Sequence, residues 1–190
     1  MAGPNGAGKT TLVLRRLEPR IIVVNPDAIA FAIPRIDGRL DQRRAGEIAI
    51  LRRATHLARG DDFAIETTLA GSSALRLMTT AKRVGYKTTL VYIGLASADL
   101  SVQRVLDRVR QGGHAVPVAA LQRRYADSLS KVARAAGLAD RSYIFDNSDR
   151  RRRLLAIIDQ GETRYLVDDL PEWAAANLAS LLARRGPNSG

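Results

Sequence analysis

The stretch Gly3-Pro4-Asn5-Gly6-Ala7-Gly8-Lys9-Thr10-Thr11 satisfies every fixed position of the pattern G-x-x-x-x-G-K-[ST]. Residues of these types at this spacing bind phosphate. Gly3, Gly6 and Gly8 leave the backbone free to turn tightly, so that successive N–H groups converge on one anion. Lys9 then reaches the β- and γ-phosphates, and Thr10 offers its hydroxyl to Mg²⁺. The helix opening at Thr10-Thr11 points its positive end at the same charge. The hydrophobic continuation Leu12, Val13, Leu14 fits a helix that packs behind such a loop.

Phosphoryl transfer needs little from a protein beyond such a cradle, a metal, a base for the acceptor's proton, and cations over the moving group. Asp27 follows an apolar run and Pro26; it reads either as the base that orients and deprotonates an acceptor hydroxyl or as the N-cap of a short helix. Glu66 closes another apolar run and reads as a metal ligand through water, an acceptor contact, or a solvated strand end. Thr67 and Thr68 support either of the first two roles. Arg104, Arg108 and Arg110 precede Gly112-Gly113, with Arg123-Arg124 after them, which is the make-up of a lid closing on a phosphoryl donor. The other reading is a solvated basic face. His114 beside the glycines either binds phosphate or terminates the loop. Trp173 reads as a core anchor rather than a ligand platform.

Elements of two periods must position these groups. Ile21 to Val24, Phe63 to Thr68, Lys87 to Leu95 and Ser142 to Phe145 read as strands, the first as one buried on both faces. Leu154 to Ile158 and Thr163 to Val167 read as a hairpin. Helices are expected over Thr10–Leu17 (stopped by Pro19), Asp41–Arg59, from Ser72 to Val84, Asp99–Gln111, from Pro117 to Ala136, and from Pro171 onward. On the second of these, Ala45, Ile48, Leu51, Thr55 and Ala58 form one stripe. Strands alternating with helices after a phosphate loop give an α/β fold: a three-layer P-loop NTPase with a mostly parallel sheet and an Arg-bearing helical lid. Only Met1-Ala2 precede Gly3, so the N-terminal strand that normally enters this motif is missing from the pattern. Either the natural chain begins earlier or the loop is anchored by other means. The expected organisation is a single domain over residues 1–185 and a tail over 186–190.

The chain has 190 residues, a net charge of +11 and no cysteine, which excludes disulfides, thiolate zinc sites and thiol catalysis and suits a cytoplasmic setting. The charge favours anionic partners. Aromatic residues make up 5% and do not interleave with the basic ones, which argues against a nucleic-acid stacking surface. No apolar run is long enough to span a membrane.

Taken together, the chain resembles the zeta-toxin family of phosphate-loop kinases. The resemblance rests on residues 2–10, on Asn25-Pro26-Asp27, on residues 63–71, on Arg108 to Pro117 with Arg123-Arg124-Tyr125, and on Tyr143-Ile144-Phe145-Asp146-Asn147-Ser148. It implies a kinase that uses ATP or GTP with Mg²⁺ to phosphorylate the 3′-hydroxyl of UDP-N-acetylglucosamine or a related UDP-amino sugar, and a small antitoxin that blocks the nucleotide site. It implies Asp27 as the base, Lys9 and Thr10 on nucleotide and metal, and lid arginines on the phosphates. Arg104 approximates the first of these. The second falls where this chain has His114, leaving Arg108 or Arg124 to substitute. Two alternatives stand beside this expectation: a non-toxic small-molecule or nucleoside kinase, and a truncated, catalytically weak nucleotide-binding protein acting through partners.

Overall fold

The computed structural model describes residues 1–16, 21–113 and 115–182. Pro19, His114 and the tail over 186–190 lie outside the described residues. The chain separates into two compact units, one of Met1–Lys9 with the chain from Thr67 onward, the other of Thr10–Glu66. The first helix, α1 (Lys9–Arg16), begins at the boundary.

The Thr10–Glu66 unit contains β1 (Ile22–Val24), α2 (Pro26–Ala32), α3 (Gln42–Arg59) and β2 (Phe63–Ile65). β1 and β2 pair in parallel, from Ile22 opposite Phe63 to Val24 opposite Ile65. Val24, Ile29, Ala30, Ala45 and Ala49 form its core, with Ile33, Leu40, Ile48, Phe63 and Ile65 packed around them. Asp41, expected as the first helical residue, caps α3 by accepting from the Arg44 N–H, and Gly60 ends it in the left-handed conformation.

Two details of this unit depart from the sequence reading. Ile22 is 51% exposed, so β1 is not buried on both faces; its ladder in the two-stranded sheet has β2 on one side. The buried stripe of α3 is Ala45, Ile48 and Ala49, while Leu51 is 67% exposed. Small side chains at Ala45 and Ala49 let α3 approach α2 closely. The packed face shares Ala45 and Ile48 with the expected stripe but continues to Ala49 instead of Leu51.

The other unit holds α4 (Ser73–Arg83), β3 (Thr89–Gly94), α5 (Ala98–Arg110), α6 (Val118–Leu138), β4 (Arg141–Asp146), β5 (Arg153–Asp159), β6 (Glu162–Leu166) and α7 (Glu172–Leu182). Its sheet runs β3-β4-β5-β6. β3 and β4 are parallel, whereas β4–β5 and β5–β6 are antiparallel, so the sheet is mixed. The two-residue turn at Gln160-Gly161, both with positive φ, forces β6 back along β5. Ser97 caps α5 as expected, by accepting from the Leu100 N–H. α6 continues through Gly137 to Leu138 instead of stopping, and its end is closed by the Ala139 N–H bonding to the Ala135 carbonyl.

α6 packs on β3, α4, α5 and α7. Tyr92, Ile93, Leu121, Val132, Ile144, Leu155, Ile158 and Leu178 are fully buried in this unit. Trp173 seats α7: it is 4% exposed, its indole N–H donates to Asp146 Oδ1 at 2.9 Å, and its ring lies 6.0 Å from that of Tyr92. Gly94 makes room for it, since a Cβ there would lie 2.3 Å from the indole. Trp173→Ala is therefore expected to lower stability by about 3–5 kcal/mol, read as a lower urea midpoint. Trp173→Phe should restore part of the loss, because it keeps a ring but not the N–H.

Candidate functional site

The phosphate loop belongs to the unit that carries the mixed sheet. Ala2 takes the place of a strand end: its N–H donates to the Val91 carbonyl at 2.8 Å, and its carbonyl accepts from the Ile93 N–H at 2.9 Å. On the other side the Thr67 N–H donates to the Met1 carbonyl at 3.1 Å, so Ala2 forms parallel bridges to both Tyr92 and Thr67. The loop is anchored through these bonds although no longer strand precedes it among the described residues. Gly3, Gly6 and Gly8 all have positive φ, at 141°, 73° and 82°. Their backbone is thus set in the conformations that turn N–H groups inward, which other residues adopt only with strain. Lys9 is 7% exposed, and its Nζ donates to the Pro4 carbonyl at 2.8 Å, so the ammonium lies across the loop it begins to close.

The loop rests on two supports. Ser101 Oγ donates to the Asn5 carbonyl at 2.7 Å, and Asn147 Nδ2 donates to the Ala7 carbonyl at 3.0 Å. Arg104 stands behind the second: Nη1 donates to the Asn147 carbonyl at 2.6 Å and Nη2 to the Ser148 carbonyl at 2.8 Å.

In the Thr10–Glu66 unit a polar cluster gathers at the carboxyl ends of β1 and β2. Glu66 is 9% exposed; its Oε1 accepts from the Thr10 hydroxyl at 2.9 Å and its Oε2 from Asn25 Nδ2 at 2.8 Å. The Asn25 side-chain oxygen accepts in turn from the N–H groups of Asp27 (2.9 Å) and Ala28 (3.3 Å), with Pro26 at the first helical position. Asn25, not Asp27, is therefore the N-cap of α2. Asp27 sits in the first turn with an exposed carboxylate that makes no hydrogen bond or ion pair among the described residues.

Thr10 and Glu66 supply hard oxygen donors side by side, a donor set that suits Mg²⁺ held by one carboxylate, a hydroxyl, waters and substrate phosphates. Among the described residues no group of three or more His, Cys, Asp and Glu gathers into a protein cage for a metal, and this mode of binding needs none.

Thr67 and Thr68 bond to their own chain. Thr67 Oγ1 accepts from the Leu69 N–H at 3.0 Å and Thr68 Oγ1 from the Ala70 N–H at 3.5 Å, making a tight turn in which buried Leu69 has a φ of 61°. Such a non-glycine residue in the left-handed region marks a turn held by its surroundings. Of the lid residues, Arg108 is exposed and Arg124 half-buried, and neither guanidinium has a partner among the described residues. The end of α5 folds back on itself: the Gly113 N–H donates to the Arg108 carbonyl at 2.9 Å, and a Cβ on Gly113 would meet that oxygen at 2.9 Å. His114 lies outside the described residues.

Comparison with known proteins decides the family. A family model described as Zeta toxin matches residues 1–156. The chain belongs to the zeta-toxin family. This family consists of phosphate-loop kinases. A relative from Haemophilus influenzae, described as an uncharacterized protein, is 34% identical over 123 residues, covering 65% of this chain and 88% of the relative. A solved structure from the PezAT chromosomal toxin–antitoxin system of Streptococcus pneumoniae matches with a TM-score of 0.62 at 19% identity, covering 96% of this chain and 80% of that one. At that identity the likeness speaks for the fold.

Sequence reasoning singled out the Gly3–Thr11 loop, Asp27 and Glu66 but gave no role to Asn25, Ser101 or Asn147. Asn25 was findable, because an Asn directly before Pro and a short apolar helix is a capping signal. Ser101 and Asn147 had no such local sign; each acts on a carbonyl some hundred residues away or more in sequence.

Proposed function

We propose that the chain is a zeta-type toxin kinase that transfers the γ-phosphoryl of ATP or GTP to a hydroxyl of a small molecule, a UDP-amino sugar such as UDP-N-acetylglucosamine being the foremost candidate. The observation that carries the reading is Asp27: a carboxylate at the carboxyl end of a strand, relieved of capping by Asn25 and open to an acceptor. In the reaction the acceptor oxygen forms a bond to the γ-phosphorus, the bond from that phosphorus to the β–γ bridging oxygen breaks, and the nucleoside diphosphate leaves. The acceptor's proton passes to the Asp27 carboxylate. Lys9 and the backbone N–H groups of Gly6 to Lys9 hold the β- and γ-phosphates, and Arg108 and Arg124 add positive charge over the group in transit. Thr10 and Glu66 hold Mg²⁺, which when bound neutralises charge on those phosphates. Thr67 and Thr68 shape the acceptor side, and His114 is a further candidate contact to substrate.

The setting is cytoplasmic, with a small antitoxin as partner; among the described residues no helix is long and apolar enough to cross a membrane. Expression of the chain in bacteria without any antitoxin tests the toxin role. Growth arrest that disappears in Asp27→Asn supports it. Normal growth with active purified enzyme points instead to a kinase of ordinary metabolism.

A further inference from the structure

The geometry points to Arg104 and Asn147 as positioning residues for the phosphate loop: the Arg104 guanidinium fixes the turn Asp146-Asn147-Ser148, and through it the Asn147 amide sets the carbonyl of Ala7. The role rests on the kinase reading for its consequence, but the brace itself is a matter of bonds within one unit. Asn147 Nδ2 bonds to the Ala7 carbonyl at 3.0 Å, and a Cβ on Gly8 would come within 2.9 Å of the same nitrogen, so the amide closes against the loop where the backbone has no side chain. Both nitrogens of the Arg104 fork are used on the turn, one on the Asn147 carbonyl and one on the Ser148 carbonyl.

The turn is held from its other side as well. Asp146 is 6% exposed; its Oδ1 accepts from Trp173 Nε1 and from Ser148 Oγ at 2.7 Å, and the Asn147 N–H donates to the Gly94 carbonyl at 3.1 Å. α5 completes the seat. Ser101, one turn before Arg104, holds the Asn5 carbonyl, and a Cβ on Gly6 would lie 3.0 Å from the Ser101 carbonyl and 3.1 Å from Arg104 Cβ.

The consequence is directional. A carbonyl bonded away from the cavity of the loop turns its peptide so that the following N–H faces the other way, toward an anion. Bonds at Asn5 and Ala7 therefore preset the N–H groups of Gly6 and Gly8 for phosphate. Arg104 acts through this turn, with both terminal nitrogens of its guanidinium committed to carbonyls there. A lysine in its place makes a point contact where the fork makes two.

Two readouts on Asn147→Ala, Asn147→Asp, Arg104→Ala and Arg104→Lys test the assignment. The first is the backbone order of the Gly6 and Gly8 amides by nuclear magnetic resonance without nucleotide. The second is the affinity for Mg²⁺ with fluorescently labelled ADP, together with the split between nucleotide KM and kcat. Asn147→Asp keeps the shape of the side chain and loses its donor, which guards against simple misfolding of the alanine variant. The expected result is looser Gly6 and Gly8 amides in all four variants, least in Arg104→Lys, and nucleotide binding weaker by about 10- to 100-fold. KM should rise more than kcat falls, and the double variant Arg104→Ala with Asn147→Ala should be little worse than either alone, because both remove one brace. Folded variants with wild-type loop order and wild-type nucleotide affinity would overturn the assignment. Wild-type protein that binds no nucleotide would overturn the kinase reading instead, and the amide measurement would still decide the brace.

Discussion

Asp27→Asn lowers the rate of phosphoryl transfer by about 10²- to 10⁴-fold and leaves nucleotide affinity and stability near those of the wild type. The substitution keeps the size of the side chain and a group able to contact a hydroxyl, but removes the one that accepts its proton. The fold should not register the change. Asn25 caps α2 and Pro26 opens it, while the Asp27 carboxylate is exposed and bonds to nothing among the described residues. Surface changes of that kind stay within about 0.5 kcal/mol. Steady-state kinetics beside a thermal unfolding curve checks both halves: a kcat close to wild type would remove Asp27 from the chemistry, and a large drop in unfolding temperature would assign it to the structure.

Gly3→Ala should have the largest effect on the fold of the loop. A Cβ at Gly3 would lie 2.1 Å from the Ile93 carbonyl oxygen, which is itself part of the β3 backbone, and the φ of 141° lies where side chains rarely allow it. Neither problem is relieved by turning a side chain. Backbone strain contributes about 1–3 kcal/mol, and overpacking against β3 about as much again. Ala2 would lose its bonds to Val91 and Ile93 as the chain shifts, and the loop would lose its anchor. The expected outcome is a protein that unfolds at clearly lower urea and binds no nucleotide. Gly71→Ala serves as the control, because a Cβ there meets nothing within 4 Å; it should change stability by no more than about 0.5 kcal/mol.

How far the sequence carried the account depended on whether a signal was local. The phosphate loop is an eight-residue pattern with two fixed glycines, Gly3 and Gly8, and both adopt positive φ, as does Gly6 between them. The stop at Gly60, the cap at Ser97 and the turn of the hairpin at Gly161 were legible for the same reason: each is decided by a few neighbouring residues. The face of α3 was legible only in part: Ala45 and Ile48 lie on it as read, but apolar size favoured Leu51 where close packing chose Ala49. The antiparallel β5–β6 pair was legible as a hairpin, whereas the antiparallel pairing of β5 with β4 was not drawn from the alternation of strands and helices.

At the site, residue type pointed to Asp27 and Glu66, but that Asp27 is not the cap of α2 turned on Asn25 two positions before it. Arg104 was read by its place on a helix before a glycine pair, where arginines serve lids. Its bonds to Asn147 and Ser148 come from a turn more than forty residues on, and no local pattern announces them.

The central claim is that this chain moves a phosphoryl group from a nucleotide to a hydroxyl with Asp27 as base. It is tested most directly by incubating purified protein with ATP or GTP, Mg²⁺ and a panel of UDP-sugars, beside Asp27→Asn and Lys9→Ala, and identifying the products by mass spectrometry. The account predicts a singly phosphorylated UDP-amino sugar, formed only with Mg²⁺ and lost in both variants. Tight nucleotide binding with no phosphorylated product from any acceptor, or equal product from Asp27→Asn, would contradict it.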